Sequence, residues 1–264
     1  MARVAALYRY PVKGFAPEPC DALAVLAEGR IAGDRVLGFR FANSAVAGDG
    51  WSTKHEFVAL VNTPGVARLE FRYDPETRRL RVATGRSVLA DETLGAEGRT
   101  RIAEAVQRFV LELGENPLSS FPARLPLRLV GDGSTPRYQD SEAGQVTLHG
   151  RASLAAVAAQ AGDPALSEVR FRSNIAVDGL RPWEEQAWIG RRLRIGDVSF
   201  RVVRPKTRCL ATHANPQTGE RDLPVLQVLR SIYPADAPTF AVAMTTEGPG
   251  GTIRVGDEVL LHED

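Results

Sequence analysis

Two residue types that mark specialised protein classes are scarce in this sequence. Among 264 residues there are two cysteines, Cys20 and Cys209, and four histidines. Two cysteines are too few for a disulfide-dense secreted scaffold or a cysteine-rich zinc fold. Basic and acidic side chains number 33 and 32, so the formal charge is only +1. A protein that coats nucleic acid would carry a strong positive excess, and this balance argues against that class.

Long hydrophobic runs are also missing from the sequence. The segment before Lys13 has no apolar core long enough for a signal peptide, and no stretch approaches the roughly 20 apolar residues that cross a bilayer. We therefore expect a cytoplasmic protein with no membrane association, in which both thiols stay reduced. Lysine is rare as well, because three of the basic residues are lysine and 30 are arginine. The planar guanidinium of arginine suits phosphate.

The pattern of turns divides the chain into two parts. Up to about residue 95, short apolar runs alternate with glycine, proline and aspartate turns, which is typical of strands in a barrel or sandwich. Apolar residues at helical spacing then predict a helix from Thr100 to Gly114. Three prolines between residues 116 and 126 mark a boundary. We expect a mainly β fold with a few helices (α+β), with a β-barrel-like domain over residues 1–120 and a second domain over 121–264.

Short apolar runs predict further elements in both parts. Ser153 is the expected N-cap of a helix that ends at Gly162, and Val225–Ile232 is a second short helix. The turns Ile195-Gly196-Asp197 and Val255-Gly256-Asp257 are typical of hairpin corners. The runs that predict strands are Val4–Tyr10, Asp21–Leu26, Val36–Phe41, Phe57–Val61, Val66–Tyr73, Leu80–Val82, Leu127–Val130, Val169–Val177, Arg192–Ile195, Val198–Val203, Phe240–Met244 and Glu258–Leu261.

Cys209 has the surroundings of a reactive or ligating thiol. Arg204, Lys206 and Arg208 lie within five residues of it, and nearby cations stabilise a thiolate. His213 lies four residues further on, but closeness in sequence does not establish a Cys–His pair. A lone cysteine between strands is more often a small buried hydrophobe, so spacing alone leaves both interpretations open.

A series of short motifs runs in order along nearly the whole chain. Around the cysteine the pattern is Arg208-Cys209, then Thr212, Pro216 and Thr218-Gly219. The other motifs are Tyr10-Pro11-Val12-Lys13, Gly33-Asp34-Arg35, Asp140-Ser141, Ala152-Ser153-Leu154, Phe171-Arg172-Ser173-Asn174-Ile175, Pro182-Trp183-Glu184-Glu185 and Trp188-Ile189-Gly190. Together they resemble the MOSC family, named for the C-terminal domain of molybdenum cofactor sulfurase, and its companion N-terminal β-barrel domain. The family includes the mitochondrial amidoxime-reducing component and bacterial relatives.

This resemblance implies a MOSC β-barrel over residues 121–264 and a molybdenum cofactor with a pterin. By similarity, Cys209 is the catalytic residue and the protein ligand of the metal. Cationic contacts to the cofactor are implied for Lys13, Arg35, Lys54 and Arg172. Polar contacts are implied for Asp140, Ser141, Asn174, Thr207 and Arg208. Asp34 is next to Arg35 in sequence, which is as consistent with orienting that arginine as with another role. The sequence departs from the family at Gly14, where relatives have a serine, and at Ser173, where they have a proline.

The resemblance further implies an oxidoreductase that reduces N-hydroxylated compounds. We expect the electrons to come from a separate flavin or iron–sulfur protein, because this chain contains neither an iron–sulfur cysteine cluster nor a pyridoxal-phosphate domain. Two alternatives stay open. In one, a sulfur carrier or cofactor-handling protein, Cys209 holds a persulfide or binds the cofactor in passing. In the other, the protein binds a ligand without catalysis and does not need Cys209.

Overall fold

The computed structural model describes residues 1–262, and its strands and helices make up 32% and 24% of the chain. The expected mainly β fold with a few helices is confirmed. The strands are β1 (Arg3–Arg9), β2 (Glu18–Cys20), β3 (Ala22–Val25), β4 (Gly38–Arg40), β5 (Glu70–Asp74), β6 (Arg79–Thr84), β7 (Ser87–Thr93), β8 (Arg128–Val130), β9 (Val146–Gly150), β10 (Ile175–Asp178), β11 (Arg192–Ile195), β12 (Val198–Thr207), β13 (Thr239–Thr246), β14 (Gly251–Arg254) and β15 (Val259–Leu261).

Helices of two kinds connect these strands. The α-helices are α1 (Ala96–Leu111), α2 (Pro117–Ser120), α3 (Arg151–Ala161) and α4 (Val225–Ile232). Short 3-10 helices cover Lys54–Glu56, Pro64–Arg68, Pro122–Arg124, Glu168–Phe171, Glu184–Trp188 and Leu210–His213. Across residues 1–262, no helix is both long enough and apolar enough to cross a bilayer.

One mixed sheet of eight strands organises the second part of the chain. Its order is β15-β11-β12-β13-β9-β10-β1-β2. All pairs are antiparallel except β9 and β10, which α3 connects as a crossover. Parallel neighbours need such a crossover, because a tight turn can only reverse the chain direction. All five residues of β9 are buried, as expected of a strand in the middle of a covered sheet.

The large sheet is open, so the expectation of closed barrels is wrong in this respect. β1 uses one edge for β10, and β2 occupies the other edge over Leu7–Arg9. The first residues of β1 are not covered by β2, and they contact the segment that leads into β15. There, Val4 and Ala2 exchange three backbone hydrogen bonds with residues 256–259, around one isolated bridge from Arg3 to Glu258. The other sheets of the described residues, β14-β3, β4-β8 and β5-β6-β7, have two or three strands and are open as well.

The first part of the chain has its own hydrophobic core. α1 packs along the small sheet β5-β6-β7 and buries Ile102, Val106 and Val110 against Phe71 and Leu80. This helix was predicted from its apolar spacing, but it begins at Ala96 and ends at Leu111. Strands from both sides of residue 120 share sheets, since β1 and β2 lie in the large sheet and β8 pairs with β4. The domain limits at 120 and 121 stay a prediction.

Several local expectations are wrong for identifiable reasons. Ser153 does not cap α3, because the helix begins two residues earlier and the Ser153 hydroxyl donates to the Glu185 carboxylate instead. The Val255–Asp257 turn joins β14 to β15, which pair with different strands, so it is not a hairpin corner. The Ile195–Asp197 turn is one, because Ile195 pairs with Val198. Phe57–Val61 contributes only an isolated bridge and no strand.

Candidate functional site

One cleft collects the residues that the family resemblance singles out. It encloses about 910 Å³ of space, part of which is open to solvent. Every residue that the resemblance assigned to a cofactor or metal lines it: Lys13, Arg35, Lys54, Asp140, Ser141, Arg172, Asn174, Thr207, Arg208 and Cys209. The sequence therefore predicted which residues come together. Their individual roles stay predictions.

The sheet order explains why residues so far apart in sequence meet. Lys13 follows β1, Arg172 precedes β10, and Thr207 ends β12. These strands lie close together in the large sheet, separated only by β9 and β13. Asp140 and Ser141 belong to the loop that enters β9. The cleft thus lies where the ends of several neighbouring strands and their connecting loops converge.

Arg35 and Arg172 hold their guanidinium groups against one buried tyrosine. Their ζ-carbons lie 4.3 and 4.5 Å from the centre of the Tyr10 ring, which stabilises each cation through the ring quadrupole. The Asp34 carboxylate accepts from Arg35 at 2.5 Å and so holds the guanidinium of this arginine in place. Burial works to lower the pKa of Arg35, but the Asp34 carboxylate prevails and raises it. Burial and the neighbouring Arg35 charge lower the pKa of Arg172.

Lys13 is a buried cation at the floor of the cleft. Its ammonium donates to the Tyr138 carbonyl at 2.8 Å and to the Asp140 carboxylate at 3.1 Å. Burial lowers the pKa of Lys13, although Asp140 opposes that shift. Desolvation would raise the pKa of Asp140, but the charges of Lys13 and Lys206 outweigh it and hold it well below its usual range. Asp140 is therefore ionised, and 59% of its side chain remains exposed.

Arg208 and Cys209 follow β12 directly. The Arg208 guanidinium donates to the carbonyls of Phe240 and Phe171, both at 2.7 Å. Its Nη2 is buried and has no hydrogen-bond partner within the described chain. Burial lowers the pKa of Arg208 to about 10. The Cys209 thiol is half-buried on the cleft wall, so it is not the fully buried hydrophobe that spacing alone allowed.

Lys206 is a cleft residue that the sequence interpretation did not assign to the site. In the sequence, Lys206 is notable only as one of the cations near the Cys209 thiol. Burial lowers its pKa to about 8, against the opposing charge of Asp140. The signal that could have found it is the cluster of Arg204, Lys206 and Arg208 beside Cys209; strand alternation does not find it, because the pairing of β12 is irregular between Pro205 and Thr207.

Asn174 and Gly14 also line the cleft, and both are in close contact with the protein behind its wall. The Asn174 amide donates to the Tyr8 carbonyl and to Asp34, and it accepts from Thr147. Its polar atoms are thus engaged inside the protein, and through Asp34 it helps to hold Arg35. Gly14 has φ +84°, and a Cβ there would lie 2.5 Å from that of Ala59. The family's serine would clash at this position.

Lys54, Ser141 and Thr207 complete the polar wall. Lys54 lies at the start of a short 3-10 helix and has no ion pair within residues 1–262. Thr207 is exposed at the end of β12, where it pairs with Thr239. An apolar wall that the sequence interpretation missed faces these polar groups. It consists of Ala59, Leu60, Val61, Phe171 and Ala211.

Three other cysteine and histidine residues lie outside the cleft. His213 Nε2 accepts from the Leu226 N–H, so this nitrogen is engaged away from the thiol, and the residue does not line the cleft. Cys20 lies half-buried in a separate shallow groove near Arg72 and Arg81. His149 is fully buried beside Glu168, and burial lowers its pKa.

A half-buried thiol and seven cationic side chains line the cleft, with Asp140 as the one carboxylate among the described lining residues and Asp34 paired with Arg35. This composition defines a binding site for an anionic ligand beside a soft metal-ligating or nucleophilic sulfur. Residues 135–260, nearly half of the chain, match the family model of the MOSC domain. The family model therefore supports the resemblance to the MOSC family over this part of the chain. The matched range includes Asp140, Arg172 and Cys209.

Curated relatives are similar to parts of this chain. Mitochondrial amidoxime-reducing component 1 of Mus musculus is 38% identical over 101 residues, which are 34% of this chain and 29% of that protein. Molybdenum cofactor sulfurase of Caenorhabditis briggsae is 36% identical over 97 residues, which are 36% of this chain and 13% of that protein. The chain therefore spans less than a third of the length of these relatives. The solved YUAD protein of Bacillus subtilis aligns over 100% of this chain and 96% of its own at 12% identity, with a TM-score of 0.46.

Proposed function

We propose that this protein is a molybdenum-cofactor-binding oxidoreductase that reduces N-hydroxylated compounds. The observation that carries the proposal is the cleft in which the Cys209 thiol, from the region that matches the MOSC family model, meets an excess of cations from both parts of the chain. The cofactor and the class of reaction are inferred from the similarity to a molybdenum cofactor sulfurase and an amidoxime-reducing component. Cys209 is the proposed ligand of the metal.

The residues of the cleft fit such a cofactor. Lys54, Arg172, Lys206 and Arg208 have no carboxylate within 4 Å among residues 1–262, so their charges are free to meet an anion. The buried, unpartnered Nη2 of Arg208 leaves a strong donor facing no protein acceptor, which costs free energy unless a ligand satisfies it. Thiolate is a soft ligand of the kind that polarisable metals select.

Each wall of the cleft has a distinct task in this proposal. When bound, the cofactor supplies a metal centre that changes oxidation state during oxygen removal. Cys209 holds the metal, and Lys13, Arg35 and Arg172 grip the phosphate of the pterin. Tyr10 and Asp34 keep the two arginines in place before the ligand arrives, which lowers the ordering cost of binding. The apolar wall around Leu60 excludes water and receives the apolar part of the substrate.

The electrons in this proposal come from a separate redox protein of the flavin or iron–sulfur class. Such a partner would reach the cleft through its mouth, which is open to solvent. A sulfur-carrier or cofactor-handling role is the second candidate. The half-exposed thiol and the similarity to a molybdenum cofactor sulfurase favour it, because a persulfide must be reachable by a partner.

Metal and pterin analysis tests the proposal directly. We would purify the native protein and C209A from a host that makes molybdenum cofactor, then measure molybdenum per chain and fluorescent pterin oxidation products. We expect near-stoichiometric metal and pterin in the native protein and loss of the metal in C209A. The matched control is C20A, whose thiol lies outside the cleft and should leave both contents unchanged.

Two outcomes would contradict the proposal. Native protein without molybdenum and pterin would exclude the cofactor. Retention of the metal in C209A would exclude the ligand role of Cys209. A persulfide on Cys209 in metal-free protein would favour the sulfur-carrier role instead.

A further inference from the structure

Lys206 has a free ammonium group on the wall of the cleft. It lies on β12, two residues before Arg208 and three before Cys209. The two cations on either side of it already make hydrogen bonds within the protein. Arg204 donates to Gln145 at 2.7 Å, and Arg208 donates to two carbonyls. Lys206 makes no hydrogen bond and no ion pair with any residue in the range 1–262. Its side chain is thus available to whatever enters the cleft.

The groups that face Lys206 come from four parts of the fold. Arg204 lies on the same strand, Arg208 follows that strand directly, and the loop before β9 contributes Asp140. Arg35 approaches from the first part of the chain. The neighbouring strand β13 carries no charged residue. The ion-pair partner of Asp140 is Lys13 at 3.1 Å, and among residues 1–262 no Asp140 oxygen lies within 4 Å of the Lys206 ammonium.

We propose that Lys206 is the proton donor of the reaction in this cleft, a role that rests on the proposed reductase function. Reduction breaks the N–O bond of the substrate, takes two electrons from the external redox protein and takes up two protons. The products are the N–H compound and water. The Lys206 ammonium delivers one proton from Nζ to the departing oxygen, and solvent supplies the other. Solvent then reprotonates the lysine.

The acidity of Lys206 suits this task. Burial lowers its pKa to about 8, so at neutral pH the group is protonated and yet a much better acid than an ordinary lysine. A donor works best when its pKa lies near the working pH. The activity should therefore fall as the pH rises through about 8, because the donor is then deprotonated.

The test compares K206R, K206Q and the native enzyme after equal loading with molybdenum and pterin. Arginine keeps the positive charge but does not release a proton in this pH range. We expect kcat to drop roughly 100-fold or more in both variants, as is usual when a general acid is removed, and the alkaline limb of the pH profile to disappear. R204Q is the matched variant: loss of a neighbouring cation should raise the Lys206 pKa and move the limb to higher pH.

A second readout does not depend on the cofactor. Acetylation of Lys206 in metal-free protein, followed across pH by peptide mass spectrometry, should have its midpoint near 8. A midpoint near 10.4, the value of an ordinary lysine, would overturn the assignment. Recovery of kcat in K206R to within about threefold would overturn it as well, because charge alone would then suffice.

The failures of the two proposals are distinguishable. A native protein without molybdenum and pterin overturns the proposed function, and the donor role with it. A loaded native enzyme whose K206R variant keeps its rate and alkaline limb overturns the donor role alone. Loss of pterin from K206Q but not from K206R would make Lys206 an anion contact and would also overturn the donor role.

Discussion

Arg35 and Arg172 have backbone conformations that side chains rarely adopt. Their φ angles are +52° and +54°, in the left-handed region where a Cβ crowds the following carbonyl. Such strain costs about 1–3 kcal/mol per residue and is found mostly where function requires it. Both residues project a guanidinium toward Tyr10 in the cleft. We infer that these two strained backbone conformations are what places two like charges close together at one binding surface.

Removal of the Asp34 carboxylate should therefore destabilise the protein. D34N leaves Arg35 without its counter-charge in a place where only 14% of its side chain is exposed. Breaking a buried ion pair costs about 3–5 kcal/mol, and the partial exposure here reduces our expectation to about 2–4 kcal/mol. Urea denaturation measures this loss. The matched control is E258Q, which breaks the exposed pair with Arg3 and should cost less than about 1 kcal/mol. Equal losses in the two variants would contradict the structural role of Asp34.

The turn after β1 is the element that brings Lys13 into the cleft. Gly14 lies in this turn with φ +84°, directly against Ala59. G14A should destabilise the protein by more than 2 kcal/mol, because it combines a strained φ with a steric clash, for which overpacking alone costs about 1–3 kcal/mol. G85A is the matched control, since it has φ +56° but open space around it. Thermal denaturation of the two variants compares them. A loss no larger than that of G85A would show that the clash relaxes freely.

Helix α3 is joined to the 3-10 helix at Glu184–Trp188 by one buried hydroxyl. Ser153 donates to Glu185 at 2.9 Å and accepts from the Trp183 N–H at 2.8 Å. S153A leaves two buried groups without a partner, and we expect a loss of about 1–3 kcal/mol in unfolding free energy by urea denaturation. S231A, which removes an exposed hydroxyl of α4, should change stability by less than about 0.5 kcal/mol. A neutral S153A would mean that water replaces the hydroxyl.

At the scale of the whole molecule, Glu168 connects three distant elements. It accepts from Tyr8 of β1 at 2.7 Å and from Arg151 of α3 at 3.0 Å, and it lies 3.4 Å from His149 of β9. Desolvation would raise its pKa, but the neighbouring His149 and the hydrogen bonds from Arg151 and Tyr8 outweigh it and hold the pKa well below its usual range. Its contribution to stability is therefore present above the ordinary glutamate pKa and is lost as the pH falls toward the folded value.

E168Q should remove this pH dependence. At neutral pH we expect a loss of about 2 kcal/mol, typical of hydrogen bonds to a charged group, and the difference from the native protein should shrink as the pH falls below about 4. Urea denaturation at a series of pH values measures it. E92Q removes another carboxylate of lowered pKa, but Glu92 is held by Arg101 at the surface, so its effect should be smaller. A native-to-E168Q difference that stays constant with pH would contradict the ionic role.

Strand β12 illustrates why part of the site escaped sequence analysis. Its pairing with β13 is irregular between Val202 and Arg204 and again between Pro205 and Thr207. A bulge changes which side chains share a face, so alternation counted from Val198 does not predict which residue reaches the cleft. The apolar wall at Ala59–Val61 was missed for a related reason. That segment forms no regular strand, and only its packing against Gly14 brings it to the site.

By itself, the sequence determined the fold class, the resemblance to the MOSC family and the ten candidate site residues that meet in the cleft, because ordered motifs carry chemistry-bearing residue types at set positions. Only the tertiary structure decided that the large sheet stays open, that Asn174 is engaged inside the protein and that Lys206 is unpaired on the cleft wall. These properties depend on distances between residues far apart in the chain. Strand pairing, hydrogen-bond partners and the pKa of a side chain depend on its burial and on its neighbours in space. A linear pattern of residues does not contain this information.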